Sequence, residues 1–435
     1  MNAQHPLPAA FISDMRRMLG AEADAFLAAL EGESARALRL NPARAGAAEA
    51  AAQSTDGRVP WARGGRYLAR GARPGASIAH FAGAFYLQEA SAMMPAAVLA
   101  AKPGERVLDL CAAPGGKATQ IAADLAGEGV LIANEIDKTR ARALYQNIER
   151  MGVINAAVVN ERPDRLAARW AGYFDAVLVD APCSGEGMFR REPDARAAWQ
   201  PGAPAGCARR QAAILADAAT LVAPGGRLVY ATCTFNELEN EGAARAFLAA
   251  HPEFSAEEFT LDGLGASKGG MLRIHPHQAR GDGQFAALFR RADAGARAAF
   301  PDPTDATAQT AASDFARAFG AFPADMLPVV QGEMLYAIPR GAPPMDGLRA
   351  ISPGLALAHL RKGRFDPAHA YAMAGTNLPA VELDGAQARA YLRGEAVVSQ
   401  GAGWLVATHG GMPLGWGKAT GGLLKNHLPK GLRRN

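Results

Sequence analysis

Short apolar runs recur through the middle of the chain, each bounded by glycine or proline. Between about residues 77 and 291 they alternate with helix-length segments; the runs are RVLDL, GVLIANE, AAVVN, FDAVLVDAP, RLVYATC and QFAALFRR. Apolar runs of this length, separated by amphipathic segments, are typical of buried parallel strands joined by crossover helices. The pattern predicts an α/β domain built on a parallel sheet.

The flanking segments have other patterns. The N-terminal apolar residues fall near one helical face; they are Met15, Met18, Leu19, Phe26, Leu27 and Leu30. A stretch rich in Ala, Pro, Thr and Asp follows the α/β segment, and beyond it come strand-like runs with many turn glycines. We therefore predict an N-terminal domain (1–75), the α/β domain (76–291), a linker (292–313) and a strand-rich C-terminal region (314–435).

Length and composition fit this division. A chain of 435 residues exceeds the usual limit for one core, and 49% hydrophobic with 20% charged residues is typical of a soluble globular protein. No segment approaches the roughly 18 uninterrupted apolar residues of a membrane helix, and the N-terminus lacks a signal-peptide pattern. We expect a cytoplasmic protein without a membrane partner.

Basic residues concentrate in two places. Eight arginines stand between Arg36 and Arg73, against only Glu49 and Asp56, and five basic residues with no acid follow Ala396. Either stretch is compatible with a solvated cationic face or with a surface that contacts nucleic-acid phosphates. The net charge of +4 permits a polyanionic partner without proving one.

The four cysteines form no metal or disulfide motif. Cys111, Cys183, Cys207 and Cys233 are far apart, and His275 with His277 lacks a third ligand, so we predict no metal. Cys207 falls on an amphipathic helix and is predicted to be buried. Thr234 and Glu237 have the spacing of a capping box for the following helix, which gives the nearby glutamates a structural role.

A cofactor site is predicted at LDLCAAPGGKATQIA, where a strand, a tight turn and a helix follow one another. Such turns place backbone N–H groups against a ligand at the strand ends. The turn matches neither GxGxxG nor GxxxxGKS. Glu135 ends the next strand, where an acid accepts bonds from ribose hydroxyls; the alternative is an exposed strand-end acid. A ribose without a phosphate cradle favours S-adenosyl-L-methionine.

Two thiols end neighbouring strands of the predicted sheet. Cys183 follows Asp180, whose buried carboxylate needs a donor such as Lys117 or a ligand, and Cys233 ends the next strand. Each cysteine alone is typical of a core, but two beside a cofactor loop favour nucleophilic catalysis. Carbon-5 of cytosine is a suitable methyl acceptor, because thiolate addition at carbon-6 makes carbon-5 nucleophilic.

Several motifs resemble the Sun-type (Fmu, nucleolar-protein) family of RNA cytosine-5 methyltransferases. They occur in order as FYLQEASAM, CAAPGGK, NE, DAPCSGEG and ATCTF. Further segments resemble the small-subunit ribosomal RNA methyltransferase F group within that family; they are LPAAFISDMRRMLG, MFRREPDARAAW, RIHPHQARGDGQF and PLGWGKATGGLLKNHLPKGLR. The resemblance implies a Rossmann-like class I methyltransferase with a small N-terminal RNA-binding domain and a C-terminal PUA-like domain.

The resemblance also implies site roles. Cys233 would be the nucleophile and Cys183 would assist release of the methylated RNA; the reverse, with Cys183 attacking, is the alternative. Lys117 and Asp180 would be catalytic and would also contact the cofactor, together with Cys111, Ala112, Ala113, Pro114, Gly115, Gly116 and Glu135. The adenine partner stays open among Glu161, Arg162 and Asp164, because the aspartate many members carry there is missing.

The implied substrate is a cytosine in 16S rRNA, as free rRNA or in the 30S subunit, methylated by a monomer. Three alternatives stay open: the same chemistry on tRNA, a non-catalytic ribosome-assembly factor that only binds RNA, and a small-molecule methyltransferase. The last would leave the basic stretches without a role.

Overall fold

The computed structural model describes residues 5–303, 305–361, 364–375 and 377–434. Within these ranges the strands form five sheets. No helix of the described chain is long and apolar enough to cross a membrane.

The N-terminal part combines helices with a four-stranded antiparallel sheet. The predicted helical pattern forms α1 (Ala9–Leu19) and α2 (Ala23–Leu30), whose buried side chains include Phe11 and Phe26. The other elements are β1 (Ala37–Leu40), α3 (Ala47–Ala51), β2 (Thr55–Arg58), β3 (Gly65–Leu68), α4 (Ile78–Phe81) and β4 (Phe85–Leu87). Since the sheet order is β2-β3-β1-β4, the sheet extends past the boundary predicted at residue 75.

The middle of the chain has the predicted alternation of strands and helices. Its elements are α5 (Met94–Leu99), β5 (Arg106–Asp109), α6 (Gly116–Leu125), β6 (Val130–Asn134), α7 (Lys138–Arg150), β7 (Ala156–Val159), α8 (Pro163–Trp170), β8 (Phe174–Asp180), α9 (Pro193–Ala198), α10 (Ala203–Leu221), β9 (Val222–Thr232), α11 (Glu241–Ala250), β10 (Phe254–Ala256), β11 (Thr260–Leu261), β12 (Gly265–Ala266), β13 (Met271–Ile274) and β14 (Gln284–Arg291).

The C-terminal region contains two further sheets. Its elements are α12 (Ala306–Phe319), β15 (Met326–Gln331), β16 (Met334–Pro339), β17 (Ala350–Ser352), β18 (Leu355–Arg361), β19 (Arg364–Pro367), α13 (His369–Ala374), β20 (Ala380–Glu382), α14 (Gly385–Leu392), β21 (Val397–Val398), β22 (Gly403–His409), β23 (Met412–Thr420) and β24 (Leu423–Asn426). The sheets are β15-β16-β18-β19 and β20-β22-β23-β24-β21. The predicted linker is wrong in its second half: α12 begins at Ala306, capped by the Asp305 side chain.

The central sheet positions the candidate site. Its order is β10-β14-β9-β8-β5-β6-β7-β17, with β13 paired to β14. The five strands from β9 to β7 are parallel, as predicted, whereas β14 is antiparallel to β9 because it returns from β13 as a hairpin. The chain adds β6 and β7 on one side of β5 and then β8 and β9 on the other side. In parallel sheets, the carboxyl ends of the strands beside such a switch in strand order form a ligand crevice.

Two of the eight arginines in the basic stretch are not on the surface. Arg39 is 2% exposed and donates to the Gly116 carbonyl and to Thr119 at the start of α6. Arg44 is 6% exposed and donates to the Ala82 carbonyl. Neither arginine belongs to a solvated cationic face, because each guanidinium group donates hydrogen bonds to oxygen atoms inside the protein.

Candidate active site at the carboxyl ends of the central strands

The loop between β5 and α6 has the geometry of a ligand cradle. The peptide before Pro114 is cis, and Gly115 adopts a φ of 112°, a left-handed conformation that favours glycine. A Cβ at Gly116 would lie 3.1 Å from the Gln88 side chain. The first N–H groups of α6 are therefore presented at a close-packed turn, where a ligand can approach the backbone.

Lys117 and Asp180 form the charged centre of the site. The Lys117 Nζ atom lies 2.7 Å from Asp180 Oδ2, which is the donor that the sequence required for this strand-end carboxylate. Burial alone would lower the pKa of Lys117, but the Asp180 carboxylate outweighs it and raises the pKa. Lys117 therefore carries a positive charge at neutral pH.

Asp109, at the end of β5, is a second acid beside this pair. Its side chain is fully buried, and neither carboxyl oxygen has a hydrogen-bond partner within the described chain. Burial, and then the charge of Asp180, raise the pKa of Asp109 to about 8. At neutral pH this carboxyl group is therefore mainly protonated.

The structure brings the two predicted thiols together. Cys183 Sγ lies 3.3 Å from Cys233 Sγ, on loops that follow the neighbouring strands β8 and β9. The hydrogen bond from Cys183 lowers the pKa of Cys233, with help from Lys117 and Arg191 and against burial. The same hydrogen bond, together with burial, raises the pKa of Cys183. Cys233 is thus the thiol that ionises first.

Two buried glutamates fix the thiol loops relative to each other. Glu239 accepts a hydrogen bond from the Ser184 N–H at 2.9 Å, next to Cys183. Glu186, from the loop of Cys183, accepts in return from the Phe235 N–H at 2.8 Å, two residues past Cys233. Each acid stands on one loop and accepts from the backbone of the other, so the two thiol loops are tied together.

The predicted capping box is wrong. Helix α11 begins at Glu241, and the Thr234 hydroxyl lies 2.8 Å from the Ser184 hydroxyl instead of capping a helix. The residues between Thr234 and Asn240 form the loop that supports the thiols. Ser184 bonds the Thr234 hydroxyl and Glu186 accepts from the Phe235 N–H, so these groups are used between loops rather than within a helix turn. The prediction for Cys207 also differs: its side chain is partly exposed rather than buried.

Glu135 lies one residue beyond β6, at the predicted position. It is 3% exposed, accepts from the Asp137 N–H at 3.0 Å and pairs with Arg140 at 3.2 Å. Arg140 also donates to the Ala113 carbonyl at 3.0 Å. The alternative of an exposed strand-end acid is therefore excluded, and Arg140 joins this acid to the cradle loop.

The three candidates for the adenine contact differ in their surroundings. Glu161 is fully buried, receives Arg349 from the C-terminal region at 3.0 Å, and keeps one carboxyl oxygen, Oε2, without a partner among the described residues. Arg162 and Asp164 are exposed and pair with each other at 2.8 Å. Only Glu161 offers an unused buried acceptor.

One pocket of about 430 Å³ is lined by most of the cradle loop, Lys117, Asp180 and Cys233. Its lining does not include Asp109, Glu135, Glu161 or Cys183. It also includes residues that the sequence reasoning did not single out, namely Gln88, Glu89, Arg191, Asp282 and Gln284. Their only signal was membership of the motif segments FYLQEASAM, MFRREPDARAAW and RIHPHQARGDGQF.

The site offers no obvious metal centre but fits a nucleoside cofactor. No group of three or more His, Cys, Asp or Glu residues that could hold a metal is found in the described ranges. The cradle at Gly116 and the Lys117–Asp180 ion pair line the pocket and fit a ligand with charged groups, whereas the unpartnered oxygens of Asp109 and Glu161 are buried outside its lining. The pocket offers backbone N–H donors and carboxylate acceptors rather than a phosphate cradle.

Similarity to known proteins agrees with this geometry. The family "16S rRNA methyltransferase RsmB/F" matches residues 96–290 and the N-terminal domain of 16S rRNA methyltransferase RsmF matches 7–90. The first C-terminal domain of that methyltransferase matches 314–374 and its PUA domain 378–434. Ribosomal RNA small subunit methyltransferase F of Cronobacter sakazakii is 34% identical, over 99% of this chain and 97% of its own; that of Klebsiella pneumoniae is 33% identical, over 98% and 97%.

Solved structures show the same fold. A methyltransferase homologue from Pyrococcus horikoshii aligns with a TM-score of 0.56 and 27% identity, over 65% of this chain and 94% of its own. NSun6 from the same organism, solved with the ligand SFG, aligns with a TM-score of 0.59 and 22% identity, over 65% and 98%.

The fold and site define a Rossmann-like class I methyltransferase with an N-terminal RsmF-type domain and a C-terminal PUA domain, as predicted. The chain belongs to the ribosomal RNA small subunit methyltransferase F family. Its methyl donor is S-adenosyl-L-methionine, so the predicted cofactor and the predicted class of RNA methyltransferase are confirmed.

Proposed function

We propose that this protein methylates carbon-5 of a cytosine in 16S rRNA through a covalent bond between Cys233 and the base. The observation that carries the proposal is the thiol pair at 3.3 Å beside the Lys117–Asp180 ion pair. An acceptor carbon that is nucleophilic by itself needs no thiol, whereas carbon-5 of cytosine does.

The chemistry follows from the protonation states of the site. The Cys233 thiolate adds to carbon-6 of cytosine, and carbon-5 becomes enamine-like and takes the methyl group. Solvent water then takes the proton from carbon-5, and the electron pair of that C–H bond re-forms the carbon-5–carbon-6 double bond as the carbon–sulfur bond breaks, which returns Cys233 as a thiolate and releases 5-methylcytosine. Cys183, whose raised pKa keeps it protonated, supports the departing thiolate of Cys233 by hydrogen bonding.

S-adenosyl-L-methionine supplies the methyl group. In this proposal the cradle from Cys111 to Lys117 and the Asp180 carboxylate hold its methionine end, and Glu135 binds the ribose hydroxyls. The buried, unused Oε2 of Glu161 makes this residue our choice for the adenine amino group, ahead of Arg162 and Asp164.

An RNA strand has an open approach to the pocket. A groove of about 1220 Å³ runs between the N-terminal part and the methyltransferase part. Arg36 is exposed on its wall, while Arg70 and Arg280 pair there with Glu33 and Asp56. Arg190 lines the same groove and pairs with Asp282, which lines the active-site pocket. Bases flipped from a looped strand can enter from this side at a cost of a few kcal/mol.

The partner in this proposal is 16S rRNA, free or in the 30S subunit, and the protein acts in the cytoplasm as a monomer that needs no metal. The test supplies tritiated S-adenosyl-L-methionine with 30S subunits that lack the modification, with naked 16S rRNA and with tRNA. We expect label in 16S rRNA, recovered as 5-methylcytosine. Label only in tRNA, or tight RNA binding with no transfer to any substrate, would contradict the proposal.

A further inference from the structure

Gln284 has no assigned role, yet it lines the active-site pocket beside Asp180. It is the first residue of β14, and the pairing of Phe285 with Thr232 places it across from Cys233. Gly283, with a φ of 120°, lets this strand start close to the Cys233 loop, since a Cβ there would lie 2.4 Å from the Phe235 ring. The backbone therefore carries Gln284 into the pocket.

The carboxamide of Gln284 is only half satisfied by the protein. Its side chain is 2% exposed, and its Nε2 donates to Asp180 Oδ1 at 3.3 Å. Since Lys117 holds the other oxygen of Asp180, the carboxylate is fixed from both sides. Within the described chain no group donates to the Gln284 carbonyl oxygen. Because Gln284 lines the pocket, its carbonyl oxygen is free to accept a hydrogen bond from a bound ligand that donates there.

Gln284 and Asp180 thus present two acceptors to the same small volume. The exocyclic amino group of cytosine carries two hydrogens, while uracil has a carbonyl oxygen at that position. The amino group of cytosine can donate to both acceptors. The carbonyl oxygen of uracil cannot donate, and its negative partial charge is repelled by them.

We propose that Gln284 is a specificity-determining residue, whose carbonyl oxygen accepts a hydrogen bond from the exocyclic amino group of the target cytosine. This inference rests on the proposed function and names the group that distinguishes cytosine from pyrimidines without the amino group. Sites built to bond a substrate N–H reject analogues that lack it by large factors, because the acceptor is then left unpaired.

The test compares two bases and two substitutions. 16S rRNA is assembled by ligation around a synthetic segment that carries either cytosine or 2-pyrimidinone, which lacks the amino group, at the mapped target. With enzyme in excess, tritium transferred from labelled S-adenosyl-L-methionine into RNA counts methyl transfer, whether or not the product has left the enzyme. The variant Gln284→Met removes the acceptor at similar volume, and Gln309→Met repeats the substitution at an exposed position on α12.

We expect Gln284→Met to slow transfer to cytosine by about tenfold to a hundredfold, and transfer to 2-pyrimidinone by less than about threefold. Equal losses on both bases would overturn the inference while leaving the proposed function intact. A wild-type enzyme that never labels the cytosine RNA would instead overturn the proposed function. Thermal unfolding of each variant separates misfolding from lost recognition.

Discussion

The sulfur atoms of Cys183 and Cys233 lie 3.3 Å apart, and the hydrogen bond between them lowers the pKa of one thiol while raising that of the other. This asymmetry distinguishes two cysteines that both end parallel strands and that spacing alone leaves equivalent. In the proposed mechanism, this asymmetry favours attack by Cys233 and leaves Cys183 as the protonated partner.

The thiol roles predict opposite outcomes for two alanine variants. Cys233→Ala should reduce methylation by about 10³-fold or more, because in the proposed mechanism its thiolate is the group that adds to carbon-6. Cys183→Ala should still attack but should accumulate a protein–RNA adduct on denaturing gels. An adduct with Cys233→Ala and none with Cys183→Ala would exchange the two roles.

The pKa asymmetry predicts how alkylation of Cys233 depends on pH. The lowered pKa means that the thiolate persists to lower pH than for an ordinary cysteine. Removing the donor in Cys183→Ala raises the pKa of Cys233, so its iodoacetamide reaction should need a higher pH. Rates are followed by mass spectrometry of the Cys233 peptide. An unchanged profile would mean that Cys183 does not stabilise the thiolate.

Replacing Glu239 should reduce turnover without reducing RNA binding. Its carboxylate accepts from Ser184, Gln211 and Asn236, so Glu239→Gln leaves one of these donors facing an amide N–H. We expect kcat to fall about tenfold or more while KM for 30S subunits changes little. The control is Glu237→Gln, an exposed residue paired with Arg245, which should keep wild-type kinetics.

The raised pKa of Asp109 should make the free energy of unfolding depend on pH. Its pKa is about 8 in the folded protein and about 3.9 in an unfolded chain, so only the unfolded state releases the proton between these values. The free energy of unfolding therefore falls as pH rises from about 4 to about 8. Asp109→Asn, which cannot ionise, should remove this slope and unfold at higher urea than wild type at pH 8. Parallel urea curves for the two proteins at pH 5 and pH 8 would contradict the assignment.

Replacing Arg140 should weaken cofactor binding without affecting RNA binding. It links Glu135 to the Ala113 carbonyl, so Arg140→Ala frees both the proposed ribose acceptor and the cradle. We expect KM for S-adenosyl-L-methionine to rise about five- to tenfold, with KM for RNA unchanged. Arg140→Lys should recover part of the loss. Arg142→Ala, exposed on the same helix, is the matched control, and an equal rise there would rule out a specific role.

The sequence was sufficient for features that depend on local patterns. Apolar runs bounded by glycine predicted the parallel strands, and the strand–turn–helix pattern at Pro114 predicted the cradle. Strand ends predicted that Cys183 and Cys233 would meet, because parallel strands bring their carboxyl ends to one edge.

Features that depend on distant partners could not be predicted in this way. Thr234 fitted a capping box by spacing, but Ser184, far away in sequence, competes for its hydroxyl. Gln284 and Arg349 reach the site only through tertiary pairing, which no local period records. The sequence also did not indicate that Arg39 is buried, because its partners Gly116 and Thr119 are distant in sequence.

The strand Ala350–Ser352 belongs to the C-terminal region, yet it completes the central sheet by pairing with Val158 and Val159 on β7. An uncovered edge strand is a template for aggregation, so an isolated 76–291 fragment would expose a row of unpaired amide groups there. The shared strand also joins the C-terminal region to the central sheet by backbone hydrogen bonds. If the proposed function holds, any RNA contact made by that region lies at a set distance from Cys233, and this distance selects which base along the RNA reacts.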